Sequence, residues 1–119
     1  KYMIGSVIAY SNKIKNTILK VPNSVLDDVG AVSDKVAALM SENIKTIFDT
    51  DMGVSITGIS GPSGGNKEKP VGLYYISVCY KNKTITKQYL FNVNDRGIHR
   101  QVASTTALNQ MRLLIKELS

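Results

Sequence analysis

The chain has 119 residues, enough for one domain with one real core, and its 43% hydrophobic and 20% charged residues are those of an ordinary folded domain. No apolar run comes near the roughly 20 residues that a membrane-spanning helix needs. The opening Lys1-Tyr2-Met3-Ile4 does not read as a signal peptide, and a single cysteine, Cys79, offers neither an internal disulfide nor a thiolate zinc site, so the cytoplasm is the expected compartment.

Net charge is +6, from 15 basic and 9 acidic residues. The lysines are scattered, and no helix carries a basic stripe interleaved with aromatics. A small phosphorylated ligand therefore fits the charge better than a nucleic-acid partner does, although a solvated basic surface is the plainest use of such scatter.

In chain order, Met3 to Tyr10 is rich in apolar and β-branched residues and reads as a buried strand. A short helix is expected next, capped by Ser11 or Asn12, with Ile14, Ile18 and Leu19 on one face. Val21-Pro22 stops it, because a residue before proline is pushed out of the helical region. Asn23 to Val29 suggests a second short helix closed by Gly30, and Ser33 caps a longer one whose apolar face holds Val36, Ala37, Met40, Ile44, Ile47 and Phe48. Met52 to Ile59 is a second predicted strand. Gly61 to Pro70, with three glycines and two prolines in ten residues, is a loop. Val71 to Tyr80 and Thr84 to Phe91, joined by Lys81-Asn82-Lys83, form an antiparallel hairpin. Asn94 or Asp95 caps a last helix with Ile98, Val102, Leu108, Met111, Ile115 and Leu118 turned inward. The order predicts a three-layer α/β/α sandwich on a mixed, mostly parallel sheet that includes one antiparallel hairpin strand. A buried strand at the very start, with nothing to cover one side of a four-stranded sheet, suggests a chain that begins inside a domain.

Three segments have the residue types for chemistry. Tyr10-Ser11-Asn12-Lys13-Ile14-Lys15 joins a strand end to a helix start, where open α/β sheets bind ligands. A lysine partly buried there loses proton affinity and can serve a hydroxyl nucleophile as a base; a solvated helix lysine is the alternative. Thr57-Gly58-Ile59-Ser60-Gly61-Pro62-Ser63-Gly64-Gly65 follows the second strand, and its glycines let backbone N–H groups approach an anion or an oxyanion. It matches neither the Walker A loop nor the dinucleotide fingerprint, so an ordinary connection remains the other choice. Asn94-Asp95-Arg96 opens the last helix with a guanidinium suited to phosphate or carboxylate, or to a surface ion pair. His99 is the only histidine, so neither a Ser-His-Asp triad nor a metal centre is expected. His99-Arg100-Gln101 reads as the exposed side of the helix.

Together with Leu19-Lys20-Val21-Pro22, Gly30-Ala31-Val32-Ser33, Lys69-Pro70-Val71-Gly72 and Arg100-Gln101, these segments stand in the order found in the C-terminal domain of the competence/damage-inducible protein CinA family. The chain resembles that domain over its whole length, residues 1–119, lacking the first strand and helix. The resemblance implies an amidohydrolase that deamidates nicotinamide mononucleotide to nicotinic acid mononucleotide and ammonia in pyridine-nucleotide salvage. No cofactor is implied, and a homodimer is. Position by position, Lys15 matches the family's base, serving a serine nucleophile, and Tyr10 its motif tyrosine. Asn12, Thr57, Gly58, Gly61 and Arg96 match substrate-side positions. The nucleophile-bearing stretch and the Glu-Ser-Cys-Thr-Gly-Gly segment of the family are absent, and Asn94 stands where the family usually has glycine. A nucleotide-binding module without catalysis, or a protein tied to competence or DNA damage, are the alternative functions.

Overall fold

In the computed structural model, residues 3–92 and 95–119 are described. The elements are α1 (Asn12–Thr17), α2 (Asn23–Val29), α3 (Asp34–Phe48), β1 (Met52–Gly58), β2 (Leu73–Tyr80), β3 (Lys83–Leu90) and α4 (Arg96–Leu118). Among the described residues no helix is long and apolar enough to cross a membrane.

Local chemistry sets the boundaries. Ser11 accepts from the Ile14 amide and starts α1. Ser33 does the same for α3 through Val36, while its own hydroxyl donates to the Gly30 carbonyl. Asp95 caps α4 by accepting from the Ile98 amide at 3.0 Å, whereas Asn94, the other expected cap, lies outside the described residues. Each of these side chains satisfies a helix-start N–H that has no partner within the helix.

The class is α/β, as expected, but the sheet is not mostly parallel. It has three strands in the order β1-β2-β3, and both pairings are antiparallel. Residues 59–72 hold no helix, and returning a strand in parallel takes a long crossover, usually helical. The expected hairpin is present, with Tyr80 opposite Lys83 across a two-residue turn.

The expected strand at Met3 to Tyr10 is the second correction: these residues form neither strand nor helix. Val7 and Ala9 do pack against a core of Leu19, Val21, Leu26, Val36 and Met40. Ile8 and Tyr10 point outward, 86% and 89% exposed. The alternation is that of a strand, but strand identity needs a hydrogen-bonded neighbour, and β1 pairs only with β2.

Helix α3 lies against the sheet residues Gly53, Ser55 and Ser77. Ser41 and Ser77 share a hydrogen bond at 2.9 Å, and Ser55 donates to the Ala37 carbonyl. A Cβ at position 53 would run into the Ser41 carbonyl, so glycine there lets helix and strand close up. Helix α4 meets the opposite face of the sheet, at Tyr74 and Tyr89. Its buried face is His99, Ala103, Ala107, Gln110 and Leu114, which corrects the expected one: Ile98, Val102, Leu108 and Ile115 are all exposed. Two alanines bring the helix close to the sheet, and the polar pair replaces greasy contact with hydrogen bonds.

Gln110 shows how. Its Nε2 donates to the carbonyls of Ile76 and Ile85 at 3.1 and 3.0 Å, and its Oε1 accepts from the Tyr89 hydroxyl at 2.9 Å. Gln110→Leu strands that hydroxyl and removes the shared donors, so urea unfolding is expected to show a loss of about 2 kcal/mol. An unchanged midpoint would mean that α4 is held by its alanines alone.

Candidate active site

Chemically capable side chains gather where β1 ends and where α1 and α4 begin. A cavity of about 810 Å3 runs there along the unpaired side of β1, between residues 3–10 and 49–58. Tyr10, Lys15, Thr57, Gly58 and Arg96 all line it. These five came from three separate stretches of sequence, and folding brings them to the lining of one cavity. The end of a strand flanked by helix starts is also where α/β folds generally bind ligands.

Lys15 sits in α1 with only 8% of its surface exposed. Its Nζ donates to the Ala9 carbonyl at 2.9 Å. The one ion pair among the described residues, Lys83 with Glu117, lies elsewhere. Burial without a carboxylate partner disfavours the ammonium, and it pulls the Lys15 amine below the ordinary lysine value of 10.5. A lysine shifted this way gives up its proton more readily than a solvated one, which suits it to act as a base. Tyr10 stands at the cavity edge with its side chain in solvent.

Thr57 is buried, and its hydroxyl donates to the Ala31 carbonyl at 2.9 Å. That bond commits the hydroxyl hydrogen but leaves oxygen lone pairs. Gly58 has to be glycine for packing as well as access, since a Cβ there would overlap the Tyr74 ring. Arg96, in the first turn of α4, lines the cavity and donates from Nη1 to the Gly61 carbonyl at 3.1 Å. It makes no ion pair among the described residues. With Lys15 it gives the cavity two basic groups, while Asp49 and Asp51 also contribute to the lining.

Two expected site residues stay off this lining. Asn12 is exposed at the start of α1, and Gly61 is buried but takes part only through its carbonyl. The sequence reading missed His99, which is fully buried rather than exposed, with Nδ1 3.0 Å from the Ser60 carbonyl. Its spacing was the available signal: positions 99, 103, 107, 110 and 114 recur every three or four residues, which places His99 on the inner face.

The fold and the cavity define an α/β domain in which a buried lysine without a carboxylate partner and a glycine-bearing strand end line the same cavity. The chain belongs to the CinA C-terminal domain family, whose model matches residues 1–115. Among curated relatives, a CinA-like protein of Prochlorococcus marinus is 42% identical over 113 residues, covering 93% of this chain and 26% of the relative. One from Crocosphaera subtropica is 46% identical over 112 residues, covering 93% of this chain and 27% of the relative. Thus the chain spans only about a quarter of their length. Solved structures agree in fold. The competence/damage inducible protein CihA of Agrobacterium tumefaciens superposes with a TM-score of 0.85 at 31% identity, covering 88% of this chain and 64% of that one. A CinA superfamily protein of Escherichia coli gives 0.84, also at 31% identity, covering 89% and 61%.

Proposed function

We propose that this chain is the amide-hydrolysing domain of a cytoplasmic nicotinamide mononucleotide deamidase, with Lys15 as its base. The buried side chain of Lys15, lining the same cavity as Thr57, Gly58 and Arg96, carries the proposal. Family membership is consistent with it.

The serine nucleophile is supplied from outside these 119 residues. As its Oγ attacks the carboxamide carbon, Lys15 takes the hydroxyl proton. The carbonyl oxygen becomes an oxyanion beside Gly58, where a backbone N–H rather than the committed Thr57 hydroxyl stabilises the charge that develops. Collapse breaks the C–N bond, and the protonated lysine returns its proton to the departing nitrogen, which leaves as ammonia. Water then hydrolyses the acyl-serine with the same amine as base, giving the nicotinic acid product. Tyr10 steadies the lysine or the leaving group at the cavity edge. Arg96 meets the anionic part of the substrate, for which a guanidinium is well suited.

These residues alone are expected to release no ammonia from nicotinamide mononucleotide. Fusing them to the preceding region of a full-length relative should restore release, followed by a coupled ammonia assay. Turnover by the 119-residue chain alone would place the nucleophile among the residues present and contradict the serine assignment.

A further inference from the structure

We propose that His99 is a positioning residue which, with Arg96, clasps the carbonyls of Ser60 and Gly61 and so sets the cavity wall for substrate binding. The ring is 0% exposed. It lies edge-on to Tyr74, with centroids 6.0 Å apart, and 6.4 Å from Phe91. In so apolar a place a leucine would pack without a desolvation cost, whereas a polar ring is stabilised only by its hydrogen bonds. His99 makes one, from Nδ1 to the Ser60 carbonyl at 3.0 Å. A carbonyl can only accept, so Nδ1 carries the hydrogen. Nε2 is buried with no partner among the described residues, and a hydrogen there would be an unsatisfied donor. Both nitrogens therefore require the same tautomer.

Arg96 stands one turn earlier on the same helix face and holds the next carbonyl, that of Gly61, at 3.1 Å. The turn is thus fixed at three successive residues. Ile59 is tied to the sheet through its amide to Leu73 and its carbonyl to Gly72; Ser60 is tied to His99, and Gly61 to Arg96. The Ser60 hydroxyl also bonds to the Tyr74 hydroxyl. This clasp anchors the guanidinium that lines the cavity, and its loss frees Arg96 and the strand end at Gly58 together. Lys15, on α1, touches none of it. Losing the clasp therefore weakens substrate binding more than the proton transfer.

The kinetic consequence rests on the proposed deamidase reaction, and it is tested in the complete protein with His99→Leu and His99→Asn. Leucine keeps the volume and loses the donor. Asparagine is smaller, but it places an amide N–H near the position of Nδ1. Leucine is expected to raise KM for nicotinamide mononucleotide about tenfold with kcat little changed, and asparagine to restore KM to within about threefold. Thermal stability should run the other way, with leucine the more stable variant. A merely structural histidine would make activity follow stability, with asparagine the worse of the two, and that result overturns the proposal. Amide resonances of Gly58 and Gly61 provide a readout independent of turnover. They should shift with leucine and return with asparagine, and unchanged resonances in both variants would also overturn it. If the unsubstituted protein turns over no nicotinamide mononucleotide, the deamidase assignment fails, and these resonances still decide the clasp.

Discussion

Replacing Lys15 by alanine in the complete protein is expected to lower kcat for ammonia release by about 10³-fold or more, the upper part of the range for losing a general base. Lys15→Met, which keeps the aliphatic stem, should be as inactive while packing better. The pH dependence is the more diagnostic result. Burial lowers the Lys15 value from 10.5, and only the neutral amine accepts a proton. Activity should therefore rise with pH through the depressed value and level off before 10.5. Stability follows the same titration. Between the depressed value and 10.5 the unfolded chain binds the proton and the folded one does not, so folding strengthens as pH rises across that window. Below it, the folded protein bears the cost of a buried ammonium. Lys15→Met should abolish this slope and be the more stable protein at neutral pH. Turnover retained by either variant would remove Lys15 from the chemistry.

Gly72→Ala is expected to be the most damaging single substitution for the fold. Gly72 has a φ of 95°, a region that L side chains rarely adopt. A Cβ there would run into the Phe91 carbonyl. Its amide donates to Ile59 at 2.7 Å and its carbonyl accepts from Phe91 at 2.9 Å, so the backbone cannot simply rotate away. Strain and overlap together should cost about 3 kcal/mol or more, lowering the thermal midpoint by about 15 °C for a domain of this size. A shift within about 0.5 kcal/mol, the range of ordinary surface changes, would mean that the strand end is not held as described.

The elements that could be read in advance are those whose signals are local. Ser33 before an apolar helix face, Asn94 or Asp95 before the last helix and a turn at Lys81-Asn82-Lys83 each act within a few residues, and the structure has Ser33 and Asp95 as caps and the turn at Lys81-Asn82. Strand partners are not local. Nothing in Met3 to Tyr10 says whether another strand will lie beside it, and a run rich in apolar and β-branched residues ended as an unpaired segment. The direction of β2 against β1 depended on the loop between them holding no helix, which loop composition alone suggested but did not decide. On α4 the apolar positions occupy more than one face, so hydrophobicity picked the wrong one. The inner face is chosen by small residues and by two polar side chains with partners in the sheet.

The site divides in the same way. Tyr10, Lys15, Thr57, Gly58 and Arg96 were legible as motifs at strand ends and helix starts, and the fold places them around one cavity. The burial of His99 had a signal in its spacing, but its bonding was not legible, because its partner is a carbonyl 39 residues away in sequence. Asn12 and Gly61 share the motifs without reaching the wall, a reminder that a motif fixes neighbourhood and not direction.

A structure of the complete protein with nicotinic acid mononucleotide bound would test the central claim most directly. The expected result is the product carboxylate within hydrogen-bonding distance of Lys15 Nζ, against Gly58, with the Arg96 guanidinium on the anionic part of the ligand. A ligand seated elsewhere, with the Lys15 amine still bonded only to Ala9, would contradict the assignment of this cavity as the reaction site.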